Sequence, residues 1–181
     1  MKSFLFGIIF TLIVLILGAS VYSKMGYLDT RADISPPAIE KHVAMEVVDA
    51  STERHAPEMK NPIAPTEPIL VEGAKLYMNH CAGCHGIPSN ADSQFGRSFY
   101  PPVPQFFTDA PDMPDNQNFY ITKHGIRWTG MPAWGKTLSD TQIWTVTAFL
   151  ANIEKLPPSA KKELEVNPPA AGPPEAPQPS R

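Results

Sequence analysis

Cysteine occurs twice in this chain of 181 residues, at positions 81 and 84, and a histidine stands at 85. The run Cys81-Ala82-Gly83-Cys84-His85 sets two thiols three residues apart with an imidazole beside the second. On a helix, positions i, i+3 and i+4 share one face. Both sulfurs can then reach one edge of a flat macrocycle while the imidazole points at its centre. That is the chemistry of covalent haem attachment, with thioether bonds to Cys81 and Cys84 and His85 as an iron ligand. Other uses of paired cysteines fit less well. A zinc site needs further Cys or His ligands at suitable spacing, and no second cluster exists. A thioredoxin-type dithiol belongs in a βαβ context, which this sequence lacks.

A six-coordinate iron needs a second axial ligand from elsewhere in the chain. Of the seven methionines, Met1, Met25, Met45 and Met59 precede the motif's domain, and Met78 lies on the motif's own helix. Met113 and Met131 remain. Met131 sits in Gly130-Met131-Pro132-Ala133-Trp134, where Gly130 permits close approach of backbone to a flat ring and Pro132 holds Met131 extended. Met131 is therefore the expected ligand, with His124 as its rival. Methionine opposite histidine raises the haem potential and leaves no open position for substrate. The implied function is electron transfer.

Several elements must position these residues. Ser3 to Tyr22 is a run of twenty uncharged residues between Lys2 and Lys24, long enough as a helix to span a bilayer core of about 30 Å. It reads as a transmembrane signal anchor over 1–23, with a cleaved secretory signal as the alternative; either would export the rest of the chain. Residues 24–67 are punctuated by proline and read as a linker, with a helix expected over Ala38 to Arg54 that puts Ile39, Val43 and Val47 on one side. A compact domain is expected over 68–156. Within it, Ile69 to His80 forms a helix leading into the motif. Ser139-Asp140-Thr141-Gln142 is a capping box opening a helix to about Lys155, stopped by Pro157 and Pro158. The two helices should cross at Gly73, with Tyr77 meeting Trp144 or Ala148. Asn116 to His124 forms a third helix, with Phe119, Tyr120 and Lys123 towards the haem. The proline-rich stretch from Gly86 to Pro114 is too long for an empty loop; a haem fills the space beneath it, with Phe95, Phe99, Tyr100, Phe106 and Phe107 at its edge. Residues 157–181 read as a disordered tail.

Composition narrows the partners. A net charge of -3 and an isoelectric point near 5.9 argue against nucleic acid, whose phosphates need a basic face. No small-molecule substrate is expected.

The chain resembles the class I cytochromes c, specifically the membrane-anchored monohaem kind. The resemblance runs from about Pro68 to Leu156 and rests on Gly73 to Tyr77, Cys81 to Gly86, Lys123 to Arg127, the Gly-Met-Pro-Ala-Trp loop and Leu138 to Asp140. It implies an all-α fold of three or more helices around one covalently attached haem c, with the haem domain on the extracytoplasmic, periplasmic side. It also implies that a proline carbonyl orients the His85 ring, with Pro88, Pro101 and Pro102 as candidates, and that Arg127, Lys123, Trp128, Trp134 or Tyr100 contacts the haem edge or propionates. Where soluble members of the family often carry a basic docking ring, six cations face seven carboxylates in this domain, so long-range steering should be weak.

The function expected is a membrane-tethered carrier of single electrons between respiratory or dehydrogenase redox partners. A permanent subunit of a larger membrane oxidoreductase is the alternative. A gas sensor or haem enzyme with an open iron position is a third class, for which no acid-base pair flanks the motif.

Overall fold

The structure is a computed structural model that describes residues 2–166. Among these every regular element is helical, and the one β-type contact is an isolated bridge between Ile87 and Asn90. The chain divides into two compact units, one through Arg31 and one from Ala32 onward. The first is dominated by α1 (Lys2–Lys24), which is long and apolar enough to cross a membrane. The tail beyond Val166 lies outside the described residues.

The second unit is built on the crossing of α3 (Glu67–His80) and α7 (Asp140–Leu150). Helix α3 starts with Thr66 at its cap and Pro68 in its first turn, where proline's missing N–H costs nothing. Helix α7 opens on the expected capping box: the Ser139 N–H donates to Gln142 Oε1 at 2.9 Å and the Gln142 N–H to Ser139 Oγ at 3.3 Å. Gly73 makes the crossing close. A Cβ there would lie 2.6 Å from Phe149 Cβ and 2.9 Å from the Thr145 carbonyl oxygen. Tyr77 is fully buried one turn further on. Its ring packs against Phe149 at 5.2 Å and edge-on to Phe107 at 5.8 Å. Trp144 stacks on Phe119 of α6 (Asp115–His124) at 4.0 Å, which turns Phe119 into the α6–α7 seam.

Three sequence expectations are corrected. Helix α7 ends at Leu150, and a separate 3-10 turn covers Ile153–Lys155. Residues 158–166, expected to be unordered, form α8 (Pro158–Val166), which packs on α3 with Ala160 and Leu164 buried. Pro158 occupies the helix's first turn, where it favours initiation. The stretch from 32 to 67 is part of the compact unit. Helix α2 (Ala38–His55) buries Thr52 and lies against α6, with His55 stacked on Tyr120. Asn116 Nδ2 donates to the Pro57 carbonyl and Asn61 Nδ2 to the Trp144 carbonyl, each at 3.0 Å. Ile39, Val43 and Val47 of α2 are exposed.

Candidate functional site

The motif turn is α4 (Ala82–His85) with Gly86 as its C-terminal cap, and the carbonyls from Gly83 to Gly86 have no helical partners. Each of these carbonyls is met from elsewhere. Ser93 Oγ donates to the Gly83 oxygen at 2.7 Å, and Gln105 Nε2 to the Cys84 oxygen at 2.9 Å. The Phe106 N–H donates to the His85 oxygen at 3.1 Å, and Tyr77 Oη to the Gly86 oxygen at 2.7 Å. The proline-rich segment after the motif thus folds back and fixes the turn. Ser93 also caps α5 (Gln94–Arg97) by accepting from Gly96 N–H, while the Ser93 N–H donates to Gln105 Oε1 at 2.7 Å.

His85 is 8% exposed. Its Nδ1 lies 2.9 Å from the Pro104 carbonyl oxygen; a carbonyl only accepts, so Nδ1 carries the proton and Nε2 keeps its lone pair. The orienting carbonyl therefore belongs to Pro104 and not to Pro88, Pro101 or Pro102. Phe106 stacks on the imidazole at 4.1 Å with planes 10° apart, which fixes the ring's rotation. Burial holds the His85 pKa below its ordinary value, against the opposing pull of the Pro104 carbonyl. This imidazole is thus held neutral, the form that ligates metal.

The two thiols are free and half-buried. Burial, with a smaller contribution from neighbouring Cys84, pushes the Cys81 thiol up to about 12, and burial raises Cys84 as well. Both are neutral near pH 7, so the unmodified pair is poorly reactive.

The loop carrying Met131 reaches this region from fifty residues away. Trp134 tilts against His80, the residue before Cys81, with ring centroids 5.0 Å apart. Gly130 lies so close to the Phe99 ring that a Cβ there would overlap Phe99 Cδ1. The loop after His85 and the loop bearing Met131 therefore touch. The Ile126 N–H donates to the Met131 carbonyl at 3.2 Å, and the Met131 N–H to Thr129 Oγ1 at 3.1 Å.

The other candidates make contacts within the protein. Tyr100 Oη donates to Glu40 Oε1 of α2 at 2.7 Å. The Arg127 guanidinium lies 5.8 Å from the centroid of the Trp128 ring. Lys123 pairs with Asp140 at 2.8 Å. Tyr120 packs between His55 and His124, and His124 is exposed. Sequence reasoning missed Ser93, Gln105 and Pro104, which hold the motif without contributing its chemistry. Their types carry no pattern of their own; only the orphan carbonyls of a four-residue helix signal that such partners are needed.

Two thiols, a neutral imidazole fixed by its second nitrogen, and a methionine loop packed beside the motif make a donor set suited to haem c. Residues 70–150 match the sequence model of the family described as cytochrome C oxidase, cbb3-type, subunit III. The chain is a membrane-anchored c-type cytochrome. Its cofactor is one covalently attached haem c, and the class I fold accounts for the all-helical arrangement around the motif. The cytochrome is also similar to the Cbb3-type cytochrome c oxidase subunit FixPc of Rhizobium leguminosarum bv. viciae, at 26% identity over 102 residues. That similarity covers 49% of this chain and 30% of the relative.

Proposed function

We propose that the cytochrome is a one-electron carrier at the extracytoplasmic face of a membrane. Cys81 and Cys84 would hold the haem through thioethers, and His85 and Met131 would ligate its iron. Haem iron supplies exchange of a single electron between ferrous and ferric states. The chain's own part is to keep that exchange clean. Pro104 and Phe106 fix the His85 ring, so the ligand neither rotates nor takes a proton. Ser93, Gln105 and Tyr77 tie down the turn that carries both sulfurs. With Met131 as the second protein ligand, the iron would keep no position open for a substrate or for oxygen, which would make this a carrier and not itself a catalyst.

The observation that carries the reading is the clamped motif turn, with the His85 Nδ1–H directed at the Pro104 carbonyl. A carboxylate or carbonyl on the far nitrogen is the usual means of orienting a metal-bound histidine. The test is optical spectroscopy of the full chain matured in its host. A low-spin spectrum whose methionine–iron band disappears in Met131→Ala supports the assignment. An unchanged spectrum in that variant removes Met131, and rapid carbon monoxide binding by the unmutated reduced protein would favour the open-site class.

The similarity to an oxidase subunit favours a specific setting, in which the anchor confines the domain beside a membrane-embedded oxidase that takes its electron, as a resident subunit or a tethered donor. Confinement raises the effective concentration of the pair without a new contact. Purification in mild detergent distinguishes the two forms: a stable assembly indicates a subunit and a monomer indicates a shuttle.

A further inference from the structure

Trp128 is 90% exposed and, among the described residues after Met59, is the only large hydrophobic side chain that stands exposed. Its backbone is equally unusual. With φ at +59° it is the only described residue other than glycine in the left-handed region, where a bulky side chain is strained. Such strain persists only where the surroundings impose it. The imposition is visible: the Thr129 N–H and Oγ1 both donate to the Ile126 carbonyl, at 3.3 and 2.8 Å, which tightens the turn around Trp128. The same turn is closed by the Ile126 bond to the Met131 carbonyl. A protein of this kind gains nothing in its own core from an indole held in solvent.

Charge around the indole is uneven. Between Asp115 and Asp140 the sequence holds Lys123, Arg127 and Lys136 and no carboxylate. Lys123 is matched by Asp140; Arg127 and Lys136 take part in no ion pair among the described residues, and the Arg127 guanidinium lies by the indole. The remainder of residues 68–156 has three cations against seven carboxylates. The domain as a whole is close to neutral, yet the segment bearing Trp128 and Met131 is its most basic stretch, and an uneven charge of this kind favours one orientation of an approaching partner.

We propose that Trp128 is the docking anchor for the protein with which this cytochrome exchanges electrons, and that this partner presents an apolar pocket rimmed by carboxylates. The proposal rests on the electron-carrier reading. Tryptophan and arginine are the residue types most enriched at the energetic centre of interfaces. Here they stand adjacent on the loop bearing the candidate iron ligand, so a partner seated on Trp128 is also seated over the haem's surroundings. The strained backbone fixes the indole's direction before contact, which lowers the ordering cost of docking.

The test uses the full chain in detergent, reduced, mixed with washed membranes of its host from which the chain has been deleted, with re-oxidation followed optically. Trp128→Ala should raise KM at least tenfold with kcat little changed, and Trp128→Phe should recover most of the loss. Arg127→Glu should raise KM at low salt and lessen its dependence on ionic strength. The midpoint potential and the haem spectrum of Trp128→Ala should equal those of the wild type. An unchanged KM in Trp128→Ala overturns the proposal while wild-type turnover keeps the carrier reading. A shifted potential or spectrum also overturns it, because Trp128 would then be covering its own haem. Absence of any oxidation of the wild type by these membranes counts against the carrier reading itself and takes the docking proposal with it.

Discussion

Gln105 Nε2 donates to the carbonyl oxygen of Cys84 at 2.9 Å across twenty-one residues, while its Oε1 accepts the Ser93 N–H at 2.7 Å. One buried amide thus joins the motif turn to the segment that folds back over it. Nε2 also bonds the Val103 carbonyl at 2.8 Å, so both ends of the amide are used.

Gln105→Ala should therefore leave the buried Ser93 N–H and the part-buried Cys84 and Val103 carbonyls without this partner, at a cost of about 1–3 kcal/mol for each group left unpaired. The expected result is a lowered urea midpoint for the holoprotein. Gln105→Glu keeps the acceptor for Ser93 and loses the donor to Cys84, so it should also destabilise. A midpoint within error of wild type for the alanine variant would show that water replaces the amide without loss.

Gly73→Ala adds one methyl where Phe149 Cβ and the Thr145 carbonyl already stand at 2.6 and 2.9 Å from the position it would take. Neither neighbour is the free end of a flexible chain. Helices α3 and α7 must move apart, and overpacking of this kind costs about 1–3 kcal/mol or more. Thermal unfolding should show the loss even though alanine is the better helix former. A stabilised variant would mean that the crossing yields easily.

Legibility in the sequence depended on how local each signal was. The motif and the Gly-Met-Pro loop are short runs whose types declare their chemistry, and the capping box of α7 and the crossing at Gly73 rest on contacts predictable from helical period. The partner of the His85 ring was legible only as a class. Four prolines stand in the twenty residues that follow the motif, and which carbonyl meets Nδ1 depends on how the chain folds back through Ser93 and Gln105. Helix α8 was obscured by composition, since Pro157 and Pro158 read as a stop while Pro158 in fact opens the next helix. The packing of 32–67 was hidden because its contacts, such as Asn61 to the Trp144 carbonyl, join residues far apart in the chain.

Leu164 tests the helix that composition concealed. It is 1% exposed, within the same core as Tyr77, Phe149 and Leu156. Leu164→Ala should cost about 2–5 kcal/mol, the usual range for a buried leucine, whereas an unordered tail would tolerate it at no cost. Holoprotein unfolding by urea distinguishes the two, and the haem spectrum should be unchanged because α8 lies against α3 and contributes nothing to the motif turn.

His85 sets a direction for the acid limb of stability. Burial keeps its folded pKa below the ordinary value near 6.5, with the Pro104 carbonyl opposing. Between the folded and unfolded pKa values the unfolded chain binds the additional proton, so stability rises with pH there. This group's contribution is complete above the unfolded value and is lost as pH falls through about 6.5 towards the depressed folded value. Denaturation midpoints of the holoprotein should thus be level from pH 8 to 7 as far as this residue acts, and should decline from pH 6.5 to 5, before most carboxylates titrate. The low-spin spectrum should survive at pH 6 in the absence of denaturant. A midpoint that climbs on acidification over this interval would contradict a neutral, buried ligand.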